Sequence, residues 1–201
     1  LRPDGTPMTL PEAIDSGRSV GVPGVLRLLE LAHRKHGRLP WARLFEPAIR
    51  LASEGFSVSP RLHALIKSDP ILQRNAASRA YFYLPEGNPL PVGYRLKNPA
   101  FAAVLRRIAQ EGPDAFYFGP IARDIAAAVA AAVDRHARPG DLTEQDLAGY
   151  RALEREAVCG SYRAHRICGM PPTRRRRGSF PRRRAVRRAA RVRSASPEVT
   201  M

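Results

Sequence analysis

Along most of residues 1–150, apolar side chains recur every three to four positions, and residues that start or stop helices bracket each stretch. In "VPGVLRLLELAHRKHG", Pro23 sits near the first turn and Val25, Leu28, Leu29 and Ala32 share one face. Gly37 stops this helix. "LPWARLFEPAIRLASEG" follows the same plan, with Pro40 at its start, a stripe of Leu44, Phe45, Ala48, Ile49 and Ala52, and Gly55 at its end. Pro47 lies inside that run, removes a backbone donor and predicts a kink or two stacked short helices. Ser59-Pro60 opens another helix, because a serine cap followed by proline satisfies and pre-shapes the first turn. Asn98-Pro99 opens the next, and Gly112-Pro113 closes it. A further helix is expected from about Ile121 to Arg135. Thr143 with Asp146 three residues on approaches a capping box, with aspartate where glutamate or glutamine is usual.

The helical period weakens in two places. From Asn75 to Lys97 the stretch "YFYLPEGNPLPVGYRL" predicts short extended pieces around a Gly-Asn-Pro turn. From Arg151 onward the period moves toward two, and "EAVCGSYRAHRICGM" predicts a hairpin folding near Arg163-Ala164. That register sets Cys159 opposite Cys168, but Arg-Ala is a poor dipeptide for a two-residue turn. Two reduced, half-buried thiols are therefore the expectation, with a Cys159–Cys168 disulfide as the alternative in an oxidising compartment. After Thr173 all periodicity fails. The pattern describes an α+β chain, mostly helical with a C-terminal strand pair, over residues 1–173. Residues 174–201 are expected to be a disordered, arginine-rich tail.

Charge sharpens this division. The 201 residues carry a formal net charge of +16, a value that invites a nucleic-acid reading. Eleven of the twenty residues from Arg174 to Arg193 are arginine, and without residues 174–201 the net charge falls to +6. The tail could hold polyanions electrostatically, without sequence preference and with a steep salt dependence. Phe180 is its only aromatic side chain, so stacking on bases is nearly absent. A hydrophobic content of 44% and charged content of 26% fit a soluble globular body, and no run is long enough for a membrane helix.

Candidate chemistry is sparse. The five histidines, His33, His36, His63, His136 and His165, are scattered, and the His33/His36 pair at helical spacing has no third ligand nearby. No metal or cofactor is expected. Ser16, Ser19 and Ser59 sit where turns and caps need them, "GVPG" at 21–24 lacks the serine of a nucleophile elbow, and neither "EGFSVSP" nor "GRSVGVPG" has phosphate-loop spacing. Glu154 with Glu156, and Asp141 with Glu144, are acid pairs better suited to surfaces and caps than to general acid–base work. The residues offer a fold and no catalytic constellation.

Three segments taken together carry a family likeness. "SGRSVGVPGVLRLLELAHRKHGRLPWARLFEPAIRLASEGFSVSP" resembles the middle of the large subunit of gamma-glutamyltransferases, also called gamma-glutamyltranspeptidases or glutathione hydrolases. "NPAFAAVLRRIAQEGPDAFYFGPIARDIA" and "GDLTEQDLAGYRALEREAVCGSYRAHRICGMPP" are similar to the segments that follow it, and order and spacing agree from about Asp15 to Pro172. The resemblance implies part of an N-terminal-nucleophile hydrolase, a four-layered αββα sandwich. Such a precursor cleaves itself so that a new terminal threonine attacks the gamma-glutamyl amide of glutathione. A threonine whose own amine serves as base must be a chain terminus. The glutamyl group then passes to water or to an amino-acid or peptide acceptor. A cephalosporin or glutaryl acylase of the same superfamily is the alternative, and a basic-tailed polyanion-binding protein is a further one. Location in the periplasm or outside the cell is also implied.

Carried over residue by residue, the resemblance assigns no catalytic, substrate-binding or metal-binding residue here. None of Thr6, Thr9, Thr143, Thr173 and Thr200 sits in the family's nucleophile context, so the chain is expected to be a fragment, inactive without the missing small subunit. With sheet neighbours absent, marginal stability is expected as well. The family continues Met-Pro-Pro with a serine-glycine run, whereas here arginines follow Thr173. Serine codons TCG read one base late become CGT, an arginine codon, which makes a frameshift near codons 172–174 the expected origin of the tail.

Overall fold

Ser59, Asn75, Asn98 and Thr143 cap helices through their side chains in the structure, a computed structural model that describes residues 2, 4–14, 16–133 and 138–170. The chain divides into two units, Leu1–Ala152 and Leu153–Met201. Thr173, Thr200, His136, the segment at codons 172–174 and the whole 174–201 tail lie outside the described residues, as do the expectations that rest on them.

The first unit is a set of short helices around one small strand pair. A first helix, α1 (Leu10–Ile14), and a 3-10 turn at Gly17–Ser19 precede α2 (Val25–His36). The Pro47 run resolves into two pieces as its sequence demands, a 3-10 turn at Trp41–Leu44 and α3 (Glu46–Glu54), with the proline in the first turn where its missing donor costs nothing. Then come β1 (Phe56–Ser57), α4 (Pro60–Ser68), α5 (Ala76–Phe82) and β2 (Arg95–Leu96). The unit ends with α6 (Pro99–Glu111), α7 (Asp114–Tyr117), α8 (Pro120–Ala131) and α9 (Glu144–Gly149). Antiparallel pairing sets Phe56 against Leu96 and Ser57 against Arg95.

Caps do what their side chains permit. Ser59 Oγ accepts from the Leu62 N–H at 3.1 Å, and Asn98 Oδ1 accepts from the Phe101 N–H at 2.9 Å. Thr143 and Asp146 close a complete capping box, so aspartate reaches far enough to do glutamate's work. α5 corrects the expectation of extended structure from Tyr81. Asn75 Oδ1 accepts from the Ser78 N–H at 2.9 Å, and that cap starts a helix running through Phe82 before the chain turns extended at Tyr83.

Two apolar centres hold this unit. Val58, Leu90 and Leu96 pack with Leu62, Tyr81, Phe82 and Leu84 around the strand pair. Tyr117, Ala122 and Leu147 pack with Val22, Leu26, Phe116, Ile125 and Tyr150. A fully buried leucine such as Leu147 contributes about 2 kcal/mol through the surface it withdraws from water. α3 lies along α6, and Trp41 Nε1 donates to the Ile108 carbonyl at 3.1 Å.

α2 is turned opposite to its sequence pattern. Val25, Leu28 and Leu29 of the expected core stripe are exposed, whereas Leu26, Arg27, Glu30 and Leu31 face inward in part. Polar contacts of Arg27, described below, fix this rotation.

The second unit contains the expected hairpin, β3 (Val158–Tyr162) with β4 (His165–Gly169). Its register pairs Tyr162 with His165, Ser161 with Arg166, Gly160 with Ile167 and Cys159 with Cys168. Arg163 adopts φ 53°, so a poor turn dipeptide turns nonetheless, at a conformational cost. The cysteines are disulfide-bonded. This corrects the expectation of two reduced thiols: register brings the pair face to face, and the turn dipeptide did not prevent it.

Candidate functional site

The residues that sequence reasoning weighed for chemistry are spread through the fold and occupied locally. Thr6 Oγ1 donates to Asp4 Oδ1 at 2.7 Å, Thr9 Oγ1 donates to Glu12 Oε2 at 2.9 Å, and Thr143 Oγ1 donates to Asp146 Oδ2 at 2.7 Å. Ser16 and Ser19 hydroxyls donate to the carbonyls of Ala13 and Ser16. His33 Nε2 meets the Leu39 carbonyl and His63 Nδ1 meets the Leu90 carbonyl, each at 2.8 Å. His36 and His165 are exposed. Asp141 accepts from Arg18 Nη1 at 3.1 Å, while its sequence neighbour Glu144 stands in the first turn of α9. Glu154 and Glu156 are exposed in the run-in to β3. Among the described residues no group of three or more His, Cys, Asp or Glu side chains is placed to hold a metal ion.

An open pocket of about 340 Å³ in the first unit gathers charges that sequence reasoning did not single out. Arg27, Glu30 and Arg34 of α2, Asp114 of α7, Phe118 and Arg151 line it. Arg27 Nη2 pairs with Asp114 Oδ1 at 2.7 Å and its Nη1 with Glu30 Oε2 at 3.0 Å. Arg34 pairs with the other oxygen of Glu30. Arg151 Nη1 donates to the carbonyls of Ala148 at 2.9 Å and Tyr150 at 2.8 Å. Burial works against the charge on Arg27, but the hydrogen bonds to Asp114 and Glu30 outweigh it and raise its pKa.

Tyr117 forms the floor beneath this network. It is fully buried, with the Arg27 guanidinium 4.4 Å above its ring and Tyr150 stacked at 6.3 Å. Its hydroxyl donates to the Pro23 carbonyl at 2.7 Å and accepts from the Arg27 N–H at 3.2 Å. Gly24, the N-cap residue of α2, offers no side chain to its own helix, so a tyrosine far along the chain supplies the acceptor. Glycine is needed at 24 because a Cβ there would run into the Tyr150 ring. Burial raises the Tyr117 pKa and keeps its hydroxyl protonated as a donor.

Every arginine lining the pocket thus has a protein acceptor. The network aligns α2 with α7 and presents no nucleophile; its chemistry is positional. Spacing of Arg27, Glu30 and Arg34 at three and four residues hinted at a charged helix ladder. The partners Asp114 and Tyr117 lie too far along the chain for local pattern to reveal.

The helical order and paired short strands define a scaffold known from solved enzymes. Residues 3–175 match the family model described as gamma-glutamyltranspeptidase, and the chain belongs to that family. It is 35% identical over 163 residues to the glutathione hydrolase proenzyme of Escherichia coli, covering 80% of this chain and 27% of that protein. Against the acylase ACY 1 proenzyme of Pseudomonas sp. (strain SE83) it is 41% identical over 156 residues, covering 77% and 27%. The gamma-glutamyltranspeptidase structure from Helicobacter pylori superposes with a TM-score of 0.76 at 28% identity, over 86% of this chain and 48% of that one. The chain therefore spans about a quarter of the length of these curated relatives. Among the described residues, no helix is long and apolar enough to cross a membrane.

Proposed function

We propose that this chain is a large-subunit segment of a gamma-glutamyltransferase, the scaffold of an αββα sandwich in which a terminal threonine transfers the gamma-glutamyl group of glutathione to water or to an amino-acid or peptide acceptor. The observation that carries this reading is the family match along residues 3–175. Within these 201 residues the chain acts as a frame: the threonine hydroxyls described are committed to turns and caps. A small subunit carrying the nucleophile is the partner this implies. The purified 201-residue chain is expected to release no p-nitroaniline from gamma-glutamyl-p-nitroanilide above a no-enzyme control. Release above that control would overturn the scaffold reading.

A second reading, an acylase segment, is favoured by the 41% identity to the acylase ACY 1 proenzyme. Side-by-side turnover of a gamma-glutamyl anilide and a glutaryl-cephalosporin by a longer protein carrying this stretch separates the two. A periplasmic or secreted location is supported by the Cys159–Cys168 bond, since disulfides persist in oxidising compartments. Residues 174–201 form a separate segment of frameshift origin in this account, supported by the family match stopping at residue 175 as the arginine run begins. An apolar helix and a catalytic threonine in the neighbouring reading frame of the gene are expected; a shifted frame lacking both would remove the frameshift.

A further inference from the structure

We propose that the Cys159–Cys168 disulfide is a thiol-exchange site for small anionic thiols, with Cys168 the sulfur that is attacked and modified. Four observations converge on it. The two cysteines face one another across the hairpin with Cα atoms 4.1 Å apart, the close spacing of a non-hydrogen-bonded antiparallel pair. Every residue of β4 is exposed, Cys168 included, whereas Cys159 is half-buried, so an incoming thiolate reaches Cys168 first. Side chains two residues apart share a face of a strand, which puts Arg166 beside Cys168 and diagonally across from Cys159. No acidic residue occurs from 157 to 170, while Arg163, His165 and Arg166 do. The Arg163 guanidinium is drawn over the Tyr162 ring at 5.4 Å, leaving Arg166 as the cation on the cysteine face. A cation there attracts a negatively charged thiol and stabilises the thiolate that must leave.

The step balances without a further redox partner. The incoming thiolate bonds to Cys168 Sγ as the Sγ–Sγ bond breaks, and its electron pair departs on Cys159 Sγ, which takes a proton from water. The product is a mixed disulfide at Cys168 and a free thiol at Cys159. A second thiolate attacking the adduct yields the small disulfide and a thiolate at Cys168, so two thiols are oxidised while the protein disulfide is reduced.

The test treats the folded 201-residue chain with thioglycolate, an anionic thiol, and with cysteamine, a cationic one, at equal thiolate concentrations. Samples are quenched with acid and mapped by mass spectrometry. The adduct is expected on Cys168, with Cys159 free. Thioglycolate is expected to open the bond roughly threefold to tenfold faster at low salt, with the gap closing at high salt. Arg166→Gln abolishes most of this preference and Arg166→Lys retains it. A bond that opens only in denaturant, an adduct on Cys159, or equal rates for the two thiols would each overturn the proposal. Thioglycolate has no gamma-glutamyl group, so the outcome is independent of the acyl-transfer reading.

Discussion

Tyr117 joins two jobs that a sequence reading assigns to different residues: it fills the centre of a core cluster and caps a helix that lacks its own cap. Tyr117→Phe keeps the ring and removes the hydroxyl, leaving the Pro23 carbonyl and the Arg27 N–H without their partner. The expected cost is about 1–3 kcal/mol in urea unfolding, the penalty of stranding partly buried polar groups. A loss near zero would mean that water replaces the hydroxyl. The capping box at Thr143 makes a prediction in pH instead. Asp146 is held below its ordinary carboxylate value, first by the Thr143 hydroxyl and then by the Thr143 backbone N–H. A depressed carboxylate contributes stability above its unfolded pKa, and the contribution fades as pH falls through the lower, folded value. Asp146→Ala should therefore lower the urea midpoint near neutral pH, and the difference should shrink as pH falls through the carboxylate range. A lowered midpoint that persists in acid would assign the effect to the neutral hydrogen bonds of the capping box rather than to the charge.

Helix ends were legible in the sequence because a cap is a local event: Ser59, Asn98 and Thr143 each bond within three residues. The rotation of α2 was not legible. Its stripe of Val25, Leu28 and Leu29 marks an apolar face, but Asp114 and Tyr117 decide which side turns inward. Leu28→Lys is accordingly expected to change stability by less than about 0.5 kcal/mol, the usual range for surface positions, whereas Leu26→Ala should cost about 1–2 kcal/mol. Reversed costs would mean that α2 packs by its stripe. α5 was missed because its seven residues are too few to show an apolar period, although Asn75 caps it and Ala76, Ala77, Arg79 and Ala80 favour helix. In the hairpin, alternation gave the register while the turn argued against it. Arg163 at φ 53° holds the position where a type II′ turn prefers glycine. Arg163→Gly relieves about 1 kcal/mol of backbone cost, so the disulfide should form about fivefold more favourably in a thiol redox buffer. No change would place the cost elsewhere in the hairpin.

Across the whole molecule, charge and fold belong to different parts of the chain. The network around Arg27 is internally paired, and residues 1–173 carry only +6 of the total +16, so an evolved polyanion site in the helical unit has little to rest on. The arginine run from 174 supplies the remainder, and arginine neutralises phosphate whatever its evolutionary origin. This separates two meanings of the high net charge. If the run acts as a plain cationic segment, the full chain is retained on a heparin column and elutes at a salt concentration that falls sharply when residues 174–201 are deleted. Retention should be indifferent to nucleic-acid sequence and decline linearly in log affinity with log salt, because counterion release drives it. The deleted chain should unfold in urea with an unchanged midpoint, since the core clusters around Leu96 and Tyr117 lie wholly within the first unit. Undiminished retention after the deletion would place the polyanion site on the helical unit. A lowered midpoint would make the arginine run part of the fold.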